Sequence, residues 1–130
     1  MPTIYDGMSN HELNVEVAKR QGYRIEPYRP DRPNIKAYRL IHPNGKRQST
    51  NKLDHSEVAT WNLVPRPADD MNDAMKLWSV PTSLENLHQN KGFRCVMGLG
   101  DTAGVGEADT APRAITIAWL TWGDYKADVK

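Results

Sequence analysis

The sequence predicts a mixed α/β (α+β) domain, a small sheet with helices packed on it. Three observations predict it. Two segments repeat apolar residues at i, i+3, i+4, i+7: Met71, Ala74, Met75, Trp78 and then Ile115, Ala118, Trp119, Trp122, the spacing of an amphipathic helix. Between them, Phe93 to Met97 is a short apolar run with one charge, the length of a half-buried strand. Asn44-Gly45 is the strongest hairpin signal in the chain. None of these elements can bury a face alone, so the economical arrangement stacks helices on a sheet. A helix near each end of the chain and one in the middle allow both faces of that sheet to be covered.

Residues 1–8 carry no periodic signal. Ser9-Asn10-His11-Glu12 is a capping box, with Ser9 as the cap and Glu12 reaching back. Leu13 and Val17 supply the apolar side of the helix, and Gly22 ends it where a left-handed residue is wanted. Tyr23 and Ile25 begin an extended segment. Pro27, Pro30 and Pro33 restrict residues 27–34 to a loop or a sheet edge. Residues 35–41 read as a strand, with Tyr38 and Leu40 on one side and Ala37 and Arg39 on the other. Residues 46–50 are the returning, exposed strand. Asp54-His55-Ser56-Glu57 is a second capping pattern before a short helix through Val58 and Trp61, stopped by Pro65 and Pro67. Asp69, Asp70 and Asp73 suit the first turn of the Met71 helix. Thr82-Ser83-Leu84-Glu85 reads as one more helical turn, and Asn90-Lys91-Gly92 turns the chain into the strand at Phe93. Gly98, Gly100, Gly104 and Gly106 read as a glycine-rich loop. Asp109 or Thr110 caps the last helix, with Pro112 in its first turn. The two apolar stripes are expected in the core, with Val96 between their helices.

At 130 residues the chain is read as one domain, 1–130, with a basic proline-containing hairpin insert at about 23–52. That length builds a core without disulfides or metal. Cys95 is the single cysteine, which excludes an internal disulfide framework and suits a reducing compartment; its place in a strand makes it a buried thiol. No apolar run reaches the length of a membrane span, and the N-terminus lacks a basic segment followed by an apolar one, so a soluble cytoplasmic protein is expected. The net charge of +1 hides an asymmetry: between Lys19 and Lys52 stand ten Lys and Arg against two acids, Glu26 and Asp31. Such a block suits a polyanion or a phosphate-bearing ligand, and equally a solvated pair of strands.

The four histidines are scattered, with no metal-ligand spacing. Neither a nucleophile elbow nor a phosphate-loop Gly-Lys-Ser/Thr occurs. Glu107 and Asp109 are the carboxylates that a small enzyme would use as a base, and no partner for them is visible. Neither catalytic residues, metal nor cofactor are therefore expected. What remains is binding. Gly98, Gly100, Asp101 and Thr102 precede a helix N-terminus whose dipole attracts anions. Thr110 offers a hydroxyl. Arg113, a cation at the positive end of a helix, implies that something negative sits nearby. The same spacing also suits a plain surface loop before a core helix. Tyr38 and Trp61 can stack on a base or pack in the core, and Arg39 and Arg47 of the hairpin can close over a ligand.

Three stretches resemble the phage αβα-sandwich family of small bacteriophage-encoded proteins. They are Met71-Asn72-Asp73-Ala74-Met75-Lys76-Leu77-Trp78, Phe93-Arg94-Cys95-Val96-Met97-Gly98, and Ala108-Asp109-Thr110-Ala111-Pro112-Arg113-Ala114-Ile115. The last carries an Ala-Pro-x-Ala-Ile pattern. Leu13-Asn14-x-x-Val17-Ala18 with Gly22 is similar to the family's opening helix. Where the family continues with a cysteine this chain has Thr116, and its basic insert is longer. The resemblance implies an antiparallel sheet with helices on both faces. It also implies a viral setting, in the host cytoplasm, where small proteins without catalytic signatures counter bacterial defence. The corresponding expectation is a homo-oligomer that binds and sequesters a nucleotide-derived signal, of cyclic oligonucleotide or ADP-ribose type. The alternative is an accessory module binding nucleic acid or a host protein through its basic segment.

Overall fold

The computed structural model describes residues 4–28, 31, 36–50, 54–78, 82–87, 91–98 and 103–128, with side chains as far as Tyr125. The expected class holds: helices pack against antiparallel sheets in a mixed α+β fold. Among the described residues, however, the strands form two sheets of three rather than one. The chain divides into two compact units, Met1–Asn14 with Arg66–Lys130, and Val15–Pro65.

Helix α1, Asn10–Arg20, is bounded by the expected signals at both ends. The Ser9 hydroxyl accepts from the Glu12 N–H at 3.1 Å, and the Glu12 carboxylate accepts from the Ser9 N–H at 3.1 Å, so two orphan donors are satisfied reciprocally. Hydrogen bonding from Ser9, its backbone N–H contributing most, holds the Glu12 carboxyl below its ordinary range. At the other end Gly22 has φ +101°. Its N–H reaches Lys19 O, and the Tyr23 N–H reaches Ala18 O at 3.0 Å, the two bonds of a Schellman motif.

In the unit Val15–Pro65, strands β1 (Arg24–Pro27), β2 (Tyr38–Ile41) and β3 (Arg47–Gln48) form an antiparallel sheet in that order. The β2–β3 hairpin closes through Pro43-Asn44-Gly45, with Gly45 at φ +90° and the Lys46 N–H held by Asn44 Oδ1 at 3.0 Å. A three-residue loop ending in a left-handed residue is a standard hairpin closure. Helix α2, Glu57–Trp61, is capped by Ser56, whose hydroxyl accepts from the Ala59 N–H at 3.2 Å; Asp54 Oδ1 instead braces the Ser56 N–H at 2.9 Å. Ala18, Leu40, Trp61 and Val64 form the core of this unit, with Val15, Tyr23, Ile25 and Leu63 packed against them.

In the other unit a 3-10 turn, Ile4–Gly7, precedes α1. Helix α3 is only Met71–Met75, capped by Asp70. Its buried residue is Ala74, followed by buried Leu77 in the turn after it, while Met71 and Met75 are 38% and 45% exposed, against expectation. The Asp73 carboxylate accepts from the Arg66 N–H at 2.9 Å. With so short a helix tied back in this way, the face at 74 and 77 is the one that turns inward. The expected helical turn at Thr82 is instead strand β4, Thr82–Asn86, paired with β5, Phe93–Met97. The Leu87 N–H to Gly92 O bond and Gly92 at φ +93° close that hairpin. Pairing with an apolar neighbour outweighs the weak capping pattern.

Half of the expected glycine loop is likewise a strand, β6, Gly104–Ala108, antiparallel to β5. The register sets Leu84, Cys95 and Gly106 side by side, and Glu85, Arg94 and Glu107 on the opposite face. Cys95 and Met97 are fully buried and Arg94 is exposed. Helix α4, Ala111–Asp128, lies against β5 and β6. A Cβ on Gly104 would stand 2.3 Å from Ala118 O, and one on Gly106 would stand 2.2 Å from Ala114 O. These glycines let a helix backbone rest directly on a strand. Ala114 to Ala118, Leu120 and Thr121 are all buried. Thr116 and Thr121 satisfy their hydroxyls on the carbonyls of Pro112 and Ile117, both at 2.8 Å. Trp119 and Trp122 are half-buried, and Val96 lies half-buried on the face with Arg94 rather than between helices.

Candidate nucleic-acid interface

The ten residues that the sequence marks for ligand binding fall in both units. Gly98 has φ +95°, and a Cβ there would meet the Trp122 indole at 2.8 Å, so this glycine serves a turn against α4. Gly100, Asp101 and Thr102 lie outside the described residues. Thr110 is exposed, and its carbonyl accepts the first bond of α4, from the Ala114 N–H at 3.1 Å.

Arg113 is occupied. One guanidinium nitrogen donates to Asn10 Oδ1 at 2.8 Å, and the other reaches the carbonyls of Met8 at 2.7 Å, Asp6 at 3.2 Å and Tyr5 at 3.5 Å. The negative partner implied by its position is therefore the carbonyl end of the 3-10 turn, where a helix dipole is negative. These bonds engage both terminal nitrogens of the guanidinium on which a phosphate was expected. Asn10 passes the network to Asp69 at 2.8 Å, and buried Asn14 joins Asp69 at 2.9 Å and the Ala68 N–H at 2.8 Å. Tyr5 donates to Asp124. This is a structural lacing of the N-terminal segment onto α4, which periodicity does not reveal.

Glu107 stands 3.6 Å from Arg94, whose other neighbour is Glu85 at 4.0 Å. All three are exposed, so the ladder contributes little. Among the described residues no cluster of His, Cys, Asp and Glu could hold a metal ion.

The basic sheet is built differently. Trp61 is 6% exposed in the core beneath Lys19, whose ammonium lies 5.7 Å from the ring centroid; it is closed to a base, contrary to one expectation. Tyr38 is half-buried, its backbone tied to His55 O at 2.8 Å and to the Thr60 hydroxyl at 3.2 Å. Arg39 and Arg47 do come together. Both guanidiniums hold Glu26 Oε1, at 2.5 and 2.8 Å. Arg47 foremost, then Arg39, draws the Glu26 carboxyl below its ordinary range. The register places Arg24, Glu26, Arg39 and Arg47 on one face, together with buried Ile41. That face carries three guanidiniums and one carboxylate.

Two residues here are not among the ten that the sequence marks: Glu26, on this face, and Tyr28, whose N–H donates to Ala37 O just past β1. The alternation Arg24, Glu26, Tyr28, with Glu26 opposite Arg39, is the signal that finds them, but it requires the β1–β2 register. No protein-family model matches this sequence, and no curated protein or solved structure matches it either.

Proposed function

We propose that this chain is a binding protein whose β1–β2–β3 face takes the phosphates of a nucleic acid. The observation that carries the reading is the convergence of Arg39 and Arg47 on Glu26, with exposed Arg24 on the same face. One carboxylate cannot neutralise three guanidiniums, so the face keeps a positive excess. Glu26 also holds two planar forks in fixed orientation, which lowers the ordering cost when a phosphate oxygen arrives. Arginine suits this role better than lysine because its fork engages phosphate oxygens in pairs.

The test is fluorescence anisotropy of a labelled oligonucleotide across about 50 to 200 mM salt, the range over which phosphate contacts are strongly screened. Affinity should fall steeply with salt, and Arg47→Ala should weaken binding and flatten the log–log slope by about 0.7 to 0.9. An absence of binding at low salt, or an Arg24→Ala/Arg47→Ala protein that binds like wild type, overturns the reading. A cyclic dinucleotide that displaces the oligonucleotide at low micromolar concentration would favour the nucleotide-sequestering alternative.

A further inference from the structure

We infer that the nucleic acid bound by this face is single-stranded, with one base stacked on Tyr28; this rests on the phosphate-binding reading of the same face. Tyr28 follows β1, and its N–H donates to Ala37 O at 2.8 Å, extending the β1–β2 ladder by one residue pair. Alternation therefore places it with Arg24 and Glu26, and opposite the strand that carries Arg39. The Arg39 guanidinium carbon lies 5.8 Å from the ring centroid, and the His55 ring is stacked at 5.5 Å with 29° between planes. Even so, Tyr28 is 43% exposed.

An isolated exposed tyrosine needs no explanation. This one is held by a backbone bond, an arginine and an imidazole, beside the guanidiniums proposed to bind phosphate. A ring already fixed loses little side-chain freedom when a base settles on it. Arg24 and Tyr28 are four residues apart on one strand edge, roughly 13 Å at the strand rise. A phosphate at one and a base at the other thus belong to different points along an extended strand. A duplex keeps its base faces inside the stack, and extruding a base costs energy, so the ring rewards only an unpaired strand.

The experiment compares wild type, Tyr28→Leu and Tyr28→Trp on one oligonucleotide, single-stranded and annealed to its complement. A 2-aminopurine base in the single strand reports stacking on the wild-type protein directly. Tyr28→Leu should lose about tenfold on the single strand, the order expected for one stacked base, and change little on the duplex. Tyr28→Trp should retain binding, and 2-aminopurine fluorescence should be quenched on binding. Equal losses on both probes, a wild-type preference for duplex, or no quenching overturns the stacking inference while the phosphate reading stands. Wild type that binds neither probe overturns both.

Discussion

Adding one methyl group at Gly106 should destabilise the protein by about 3 kcal/mol, the upper end of overpacking costs. The added Cβ would stand 2.2 Å from Ala114 O and 2.6 Å from Ala118 N. A carbon–oxygen contact needs about 3.3 Å, so α4 must withdraw by roughly 1 Å over β6. A gap of that size forfeits a quarter to a half of the contact energy of each side chain it opens. Ile115, Ile117 and Leu120 are fully buried on this helix, and each contributes about 1.5–3 kcal/mol by burial. Losing that fraction from two or three of them amounts to about 1–4 kcal/mol, a range that contains the stated figure. Two glycines serve as controls. Gly45 has open space but φ +90°, so Gly45→Ala should cost about 1 kcal/mol. Gly7 has nothing within 4 Å and no positive φ, so Gly7→Ala should lie within about 0.5 kcal/mol of wild type. Urea melts followed by far-UV circular dichroism and tryptophan fluorescence give the differences. Ala114→Gly should not rescue Gly106→Ala, because the obstructing atom is the main-chain oxygen. A Gly106→Ala protein within about 0.5 kcal/mol of wild type, or rescue by Ala114→Gly, would refute the close-packing account.

Two further outcomes are expected. Arg113→Ala should destabilise the protein by about 1.5–3 kcal/mol, the range for hydrogen bonds to a charged group, and Arg113→Lys should recover only part of it, because a point cation cannot bridge Asn10 and the Met8 carbonyl as the fork does; an Arg113→Ala urea midpoint equal to wild type contradicts this. Burial pushes the Cys95 thiol from 9.0 up to about 11, so the native state holds its proton where the unfolded chain releases it. The stability it contributes is complete below pH 9 and declines between pH 9 and 11; a thiol reagent should label Cys95 only on unfolding, and labelling of the native protein at pH 8 would count against its burial.

The positive surface near the proposed interface was partly legible in the sequence. Arg39 and Arg47 stand out because ten cations crowd residues 19–52. Glu26 and Tyr28 do not, since a single acid and a single tyrosine acquire meaning only once β1 is registered against β2. Trp61 shows the converse: composition offers it as a stacking ring, and packing against Ala18, Leu40 and Val64 withdraws it.

Sequence alone determined what is decided within a few residues. The Ser9–Glu12 box, the Gly22 stop and the Gly45 hairpin all depend on a local cap or a positive φ, and the residue type supplies each one directly. Tertiary structure decided the rest. Gly104 and Gly106 read as loop residues, and only a helix backbone contributed by Ala114 and Ala118 makes them a strand surface. Arg113 reads as an anion site, and only carbonyls more than a hundred positions away fill its donors. Met71 and Met75 fit an apolar stripe, yet the five-residue helix buries Ala74, and the turn after it buries Leu77, instead. A glycine, an arginine or a methionine carries the same local propensity in either role. What separates the roles is the partner brought against it by the fold, and no local pattern contains that partner.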